Sequence, residues 1–156
     1  KTQCLQMFIV ILAALFVCSV AAAQLCSSGL SISETSDILN IHNTLRQQIS
    51  SGSFIAKDER MPPAATPIPD LKWDCELESS AQKYANGCKF AHSGMGGVGE
   101  NLYTKWSTVK IPTAGTGAEA SRAWANEFQE FGWKSVQLTR DVFNTGIGHA
   151  TQVCLA

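Results

Sequence analysis

Apolar side chains at Ile38, Ile41, Leu45 and Ile49 recur at the spacing that puts them on one face of an α-helix. Ser31 and Ser33 precede this run, Glu34 closes a Ser-x-x-Glu capping box, and Gly52 follows it, so a first helix is predicted between them. A proline-rich loop occupies residues 61–69, after which Asp74 is placed to cap a second helix with the stripe Leu77, Ala81, Tyr84, Ala85 and Cys88. That helix should break near Gly87. Thr116-x-x-Glu119 reads as another capping box, opening a third helix whose inner face is Ala120, Ala123, Trp124, Phe128 and Phe131, ending near Gly132.

Strand signals are sparser. Residues 101–104 read as a short extended segment, and residues 146–156 as a turn running into a β-strand. Three amphipathic helices with one or two strands predict an α+β chain, helices packed on a small sheet. One strand cannot make a sheet, and Val153-Cys154-Leu155 reads as an apolar strand in want of a neighbour. The expectation is therefore that the central strands are missing at the C-terminus of this sequence.

The N-terminal segment differs from the rest. Its apolar run, residues 7–20, is about 14 residues long, short of the roughly 20 that a spanning helix needs. Ala21 and Ala23 then supply the small residues of a cleavage site, so residues 1–23 read as a secretory signal peptide and residues 24–156 as one extracellular domain without a stable membrane anchor. The 156-residue chain carries 12 basic and 13 acidic residues, a net charge of -1, which gives no field to attract nucleic acid. Past the signal, Cys26, Cys75, Cys88 and Cys154 would meet an oxidising compartment, where four cysteines allow three pairings.

Glu127 lies on the apolar stripe of the third helix, where a carboxylate is costly unless paired. The histidines able to meet it are His92 after the second helix, His149 at the head of the last predicted element, and His42 within the first helix; Glu100 follows a glycine-rich stretch and could also turn inward. Two histidines and two glutamates in one cleft would suit zinc; the competing reading is four unrelated polar groups. The His-Glu-x-x-His arrangement of zinc proteases is absent. Residues 94–99 match Gly-x-Gly-x-x-Gly, yet the match follows a loop and opens no helix, which argues against a pyrophosphate cradle. Ser93 lacks a Gly-x-Ser-x-Gly elbow, and Cys88, four residues before His92, reads as a disulfide partner and not as a nucleophile.

His42-Asn43-x-x-Arg46, Trp73-Asp74-Cys75-Glu76-Leu77, Tyr84-Ala85-x-x-Cys88-x-x-x-His92-Ser93, Gly99-Glu100-Asn101-Leu102, Trp124-x-x-Glu127 and Gly148-His149-Ala150-Thr151-Gln152 together resemble the CAP superfamily, in its block order. The likeness is greatest to nematode venom-allergen-like secreted proteins. It implies an α-β-α sandwich with a central cleft and a tetrad formed by His92, Glu100, Glu127 and His149: the histidines as ligands of Zn2+ or another divalent cation, the glutamates as their partners. His42 belongs to the helix motif and is structural. The resemblance further implies a non-enzymatic, secreted protein whose partner is a sterol, a fatty acid or an extracellular host protein, and, by likeness to insect venom members, a Cys26–Cys88 disulfide that leaves Cys75 without a downstream partner. The alternative is a divalent-metal-dependent secreted protease or other hydrolase, which requires turnover that disappears with Glu100 or Glu127.

Overall fold

Ser31 does start the first helix. Its hydroxyl accepts from the Glu34 N–H while the Glu34 carboxylate accepts from the Ser31 N–H, so the predicted capping box closes in both directions and α1 runs Ile32–Ser50. Asp74 accepts from the N–H groups of Glu76 and Leu77 and opens α2, Cys75–Ala85. The remaining helices are α3 (Thr116–Phe131), α4 (Arg140–Phe143) and α5 (Gly148–Leu155). This computed structural model describes residue 26 and residues 29–57, 59–133 and 137–155; the predicted signal peptide lies outside them.

α1 packs on α3, and α5 lies against both. Their shared core contains Leu45 and Ile49 from α1, Phe128 from α3, and Ala150 and Val153 from α5. Phe54 crosses Phe128 edge-to-face at 6.1 Å, bringing the loop after α1 into the same core. The stripe predicted for α2 packs less completely: Leu77 is 51% exposed, and Ala81, Ala85 and Cys88 are exposed. The α2 side chain that is buried is Glu78, which accepts from the Trp73 indole N–H.

Four expectations need correcting. First, the predicted C-terminal strand is the helix α5. As a strand it would present alternate residues to the core; as a helix it buries Ile147, Ala150 and Thr151, with Val153 alongside, and Thr151 N–H returns to the Ile147 carbonyl at 3.0 Å. Second, Thr116 caps nothing: Gly115 takes the N-cap position of α3 in the left-handed region, and Glu119 is drawn away by Lys105 and Tyr103. Third, no strand forms among the described residues, which hold a single antiparallel bridge between Ile55 and Arg60, so the β layer of an α-β-α sandwich is not found there.

The fourth correction concerns the disulfide. Cys26 is bonded to Cys75, with Cα atoms 5.5 Å apart, while Cys88 is an exposed free thiol. The bond ties the segment before α1 to the first residue of α2, closing a span of 49 residues. Non-reducing peptide mapping should recover Cys26 joined to Cys75. Removing the bond by a Cys26→Ser, Cys75→Ser double substitution should destabilise the fold by about 2–4 kcal/mol. A map that joined Cys26 to Cys88 would reinstate the pairing first expected.

Candidate functional site

Tyr84, on the last turn of α2, donates its hydroxyl to the carbonyls of Ala91 and His92 and so fixes the loop that carries His92. In that loop His92 Nδ1 donates to Glu100 Oε1 at 2.8 Å, and the Ser93 N–H reaches the same oxygen at 2.8 Å. Ser93, through its side chain and its N–H, and then His92, hold the Glu100 carboxyl below the usual carboxylate range.

A second pair is built by α3 and α5. Glu127 points inward from α3, as its place on the apolar stripe required, and meets His149 Nδ1 at 2.6 Å and the Ala150 N–H at 2.9 Å. Ala150 is the third residue of α5, so Glu127 satisfies a donor that the first turn leaves without a partner within the helix, and sets a negative charge at its positive end. Asn101 Nδ2 donates to the His149 carbonyl at 3.0 Å. Trp124 stands behind: its indole N–H is held by the Leu102 carbonyl, and its ring lies nearly parallel to that of His149, 20° and 6.1 Å apart.

His92, Glu100, Glu127 and His149 line one cleft of about 490 Å³. The four side chains expected to converge therefore line the same cleft. His42 does not join them. Its Nδ1–H donates to the Ile38 carbonyl, its ring meets the edge of Trp124, and burial, with Arg46 nearby, holds its pKa below the ordinary imidazole value. The glycine-rich stretch leads into irregular chain and not a helix, consistent with its rejection as a phosphate loop. Cys154 is no nucleophile: burial pushes its thiol up to about 11, and only the thiolate reacts.

Sequence reasoning missed the cleft's other walls, Phe131, Phe143 and Asn144. Phe131 looked like core because it ends the apolar stripe of α3. Phe143 and Asn144 lie at the end of the four-residue α4, too short to leave a periodic signal.

The donor set suits a divalent cation in one respect. A carboxylate can only accept, so each imidazole donates from Nδ1 and keeps Nε2 free, the oriented state in which histidine binds metal. Yet among the described residues no group of three or more His, Cys, Asp or Glu side chains is arranged to hold an ion. Two imidazoles would thus need further ligands from water or a bound molecule.

Comparison with known proteins gives the same reading along most of the chain. Residues 39–155 match the CAP family, described as the cysteine-rich secretory protein family. Venom allergen 3 of Solenopsis invicta is 33% identical across 82% of this chain and 57% of its own length. Ancylostoma secreted protein of Ancylostoma caninum is 34% identical across 81% of this chain and 31% of its own. The chain thus spans little more than half of one relative and less than a third of the other. Among solved structures, BmVAL-1 superposes with a TM-score of 0.77 at 33% identity, covering 84% of this chain and 68% of that one. NaASP2, solved with Zn2+, does so at 0.75 and 32%, covering 83% and 70%. With residues 39–155 matched by the family model and relatives 33% and 34% identical over most of its length, the chain belongs to the CAP family.

Proposed function

We propose that this chain is a secreted, non-catalytic binding module whose cleft holds a divalent cation, zinc foremost, on the free Nε2 atoms of His92 and His149. Glu100 and Glu127 orient the two rings. The observation that carries the reading is the pair of Nδ1–carboxylate bonds opening onto one cleft. The Zn2+ in the NaASP2 structure supports it. When bound, the cation supplies a Lewis-acidic anchor for an oxygen of a ligand.

Membership of the CAP family, whose members are generally non-catalytic, favours binding over turnover. Extracellular placement follows the printed name of the Ancylostoma relative and the predicted signal peptide. No helix among the described residues is long and apolar enough to cross a membrane. The partner class is a sterol, a fatty acid or an extracellular host protein, and the α-β-α sandwich of the family is the fold this reading assigns to the whole domain.

Zinc titration by calorimetry tests the reading. Replacing both His92 and His149 by Ala should weaken zinc binding at least ~100-fold, and Glu100→Gln roughly 10-fold or more, through the lost orientation of His92. Unchanged zinc affinity in a double variant that melts like the parent would remove the cleft as the metal site.

A further inference from the structure

The two histidine–carboxylate pairs come from separate stretches of chain, His92–Glu100 from the segment after α2 and Glu127–His149 from α3 and α5. The helix α5 also joins one pair to the other, because the residues on either side of Glu100 both touch it. Asn101 Nδ2 donates to the His149 carbonyl at 3.0 Å, and Gly99 lies against the side chain of Gln152. His149 and Gln152 stand three residues apart, on one face of α5, and both line the cleft. The contact at Gly99 leaves no room for a side chain: a Cβ there would stand 1.9 Å from Gln152 Nε2 and 2.4 Å from its Cδ. The φ of Gly99 lies outside the left-handed region, so the glycine is needed for space and not for its backbone freedom.

We propose that the Gly99–Gln152 contact is the spacer of the cation site, with Gln152 as a positioning residue: it fixes the separation of the two imidazoles and so the size of the ion they share. The linkage is short. Gln152 sets how near residues 99–101 come to α5, that segment carries Glu100, and the Glu100 carboxylate holds His92 Nδ1 at 2.8 Å. His149 is on α5 itself, fixed from the other side by Glu127. A methyl group inserted at residue 99 pushes the segment off α5 and draws His92 away from His149. Zinc needs nitrogen ligands at about 2.0–2.1 Å, so rings drawn apart lose a small ion before a larger one of the same charge. This rests on the metal reading above and adds what sets the spacing of the site and its preference among ions.

Calorimetric titration with Zn2+ and with the larger Cd2+ tests the spacer, in chains that all carry Cys88→Ser because an exposed thiol takes soft cations. Gly99→Ala should weaken zinc binding ~10-fold or more and cadmium binding less, so that the zinc-over-cadmium ratio falls. Adding Gln152→Ala removes the atoms that the new methyl group meets, and should restore most of the zinc affinity and the ratio. A loss of folding alone would not shift the ratio, and the double variant checks that the effect passes through Gln152. Zinc affinity in Gly99→Ala equal to the parent's would mean that the Gln152 amide swings aside, and would overturn the inference while leaving the metal reading standing. A loss that Gln152→Ala does not relieve would overturn it as well. Failure of zinc to bind at the two histidines of the parent would remove the metal reading by itself, and the spacer is then read without metal. Gly99→Ala should shift the imidazole NMR signals of His92 and His149, and Gln152→Ala should return them toward the parent; unshifted signals would overturn the spacer too.

Discussion

Arg46→Ala should be the most damaging single substitution in the helical core, lowering stability by roughly 3–5 kcal/mol through orphaned carbonyls and a residual cavity. Arg46 is 2% exposed, and among the described residues no carboxylate is bonded to it. Its Nε–H donates to the Pro69 carbonyl and its Nη1–H to the Val153 carbonyl, both at 2.8 Å. The guanidinium therefore joins α1 to the proline-rich loop and to the last turn of α5, where carbonyls lack helical partners and a positive charge is favourable. Arg46→Met is the informative companion. It keeps most of the volume and removes the cost of burying a charge, so it should lose about half as much as Ala. In urea, the Ala variant should shift the unfolding midpoint by roughly 1.5–2.5 M, taking about 2 kcal/mol per molar as the slope. A shift below ~0.3 M would mean that the bonds to Pro69 and Val153 do not hold α5.

Glu127→Ala should cost about 2–3 kcal/mol, because it removes a charged acceptor and leaves the buried Ala150 N–H unsatisfied. Glu127 acts at the opposite end of the same helix from Arg46, so α5 carries a negative charge at its N-terminal turn and a positive one at its C-terminal turn. Glu127→Gln keeps one acceptor oxygen and should fall between parent and Ala. Its one amide oxygen can replace only one of the two carboxylate oxygens, and its N–H₂ accepts from neither His149 Nδ1–H nor Ala150 N–H, so zinc affinity should fall by ~10-fold or more even where stability is largely kept. Amide hydrogen exchange supplies the local reading: α5 should lose protection in Glu127→Ala before α1 does. Equal protection of α5 in parent and variant would contradict this account.

These two contacts also explain which parts of the molecule were legible beforehand. α1 and α2 begin where local chemistry says they must, since the oxygens of Ser31, Glu34 and Asp74 reach donors two or three residues away. The inward turn of Glu127 was legible because a carboxylate on an apolar stripe needs a partner. The four tetrad residues were legible because ordered motifs carry them, and the geometry adds their pairing: His92 with Glu100, His149 with Glu127.

α5 was not legible. Thr151, Val153, Cys154 and Leu155 have the composition of a strand, and the charges that stabilise a helix there come from α3 and from α1, 107 residues away in the case of Arg46 and Val153. The failed capping box has the same origin: Lys105 and Tyr103 bind the carboxylate of Glu119, an interaction that spacing around Thr116 cannot reveal. The disulfide differed because four cysteines admit three pairings, and only the placement of residue 26 against the start of α2 selects Cys75.

The free thiols bear directly on the central claim, because zinc also binds sulfur and Cys88 is exposed. The most direct test is zinc K-edge X-ray absorption on the chain loaded with one equivalent of zinc. The account predicts two imidazole nitrogens near ~2.0 Å with oxygens completing the shell, and loss of the imidazole signal in the His92→Ala, His149→Ala double variant. A sulfur shell near ~2.3 Å, or a shell of oxygens alone, would contradict it and remove the cation from the cleft.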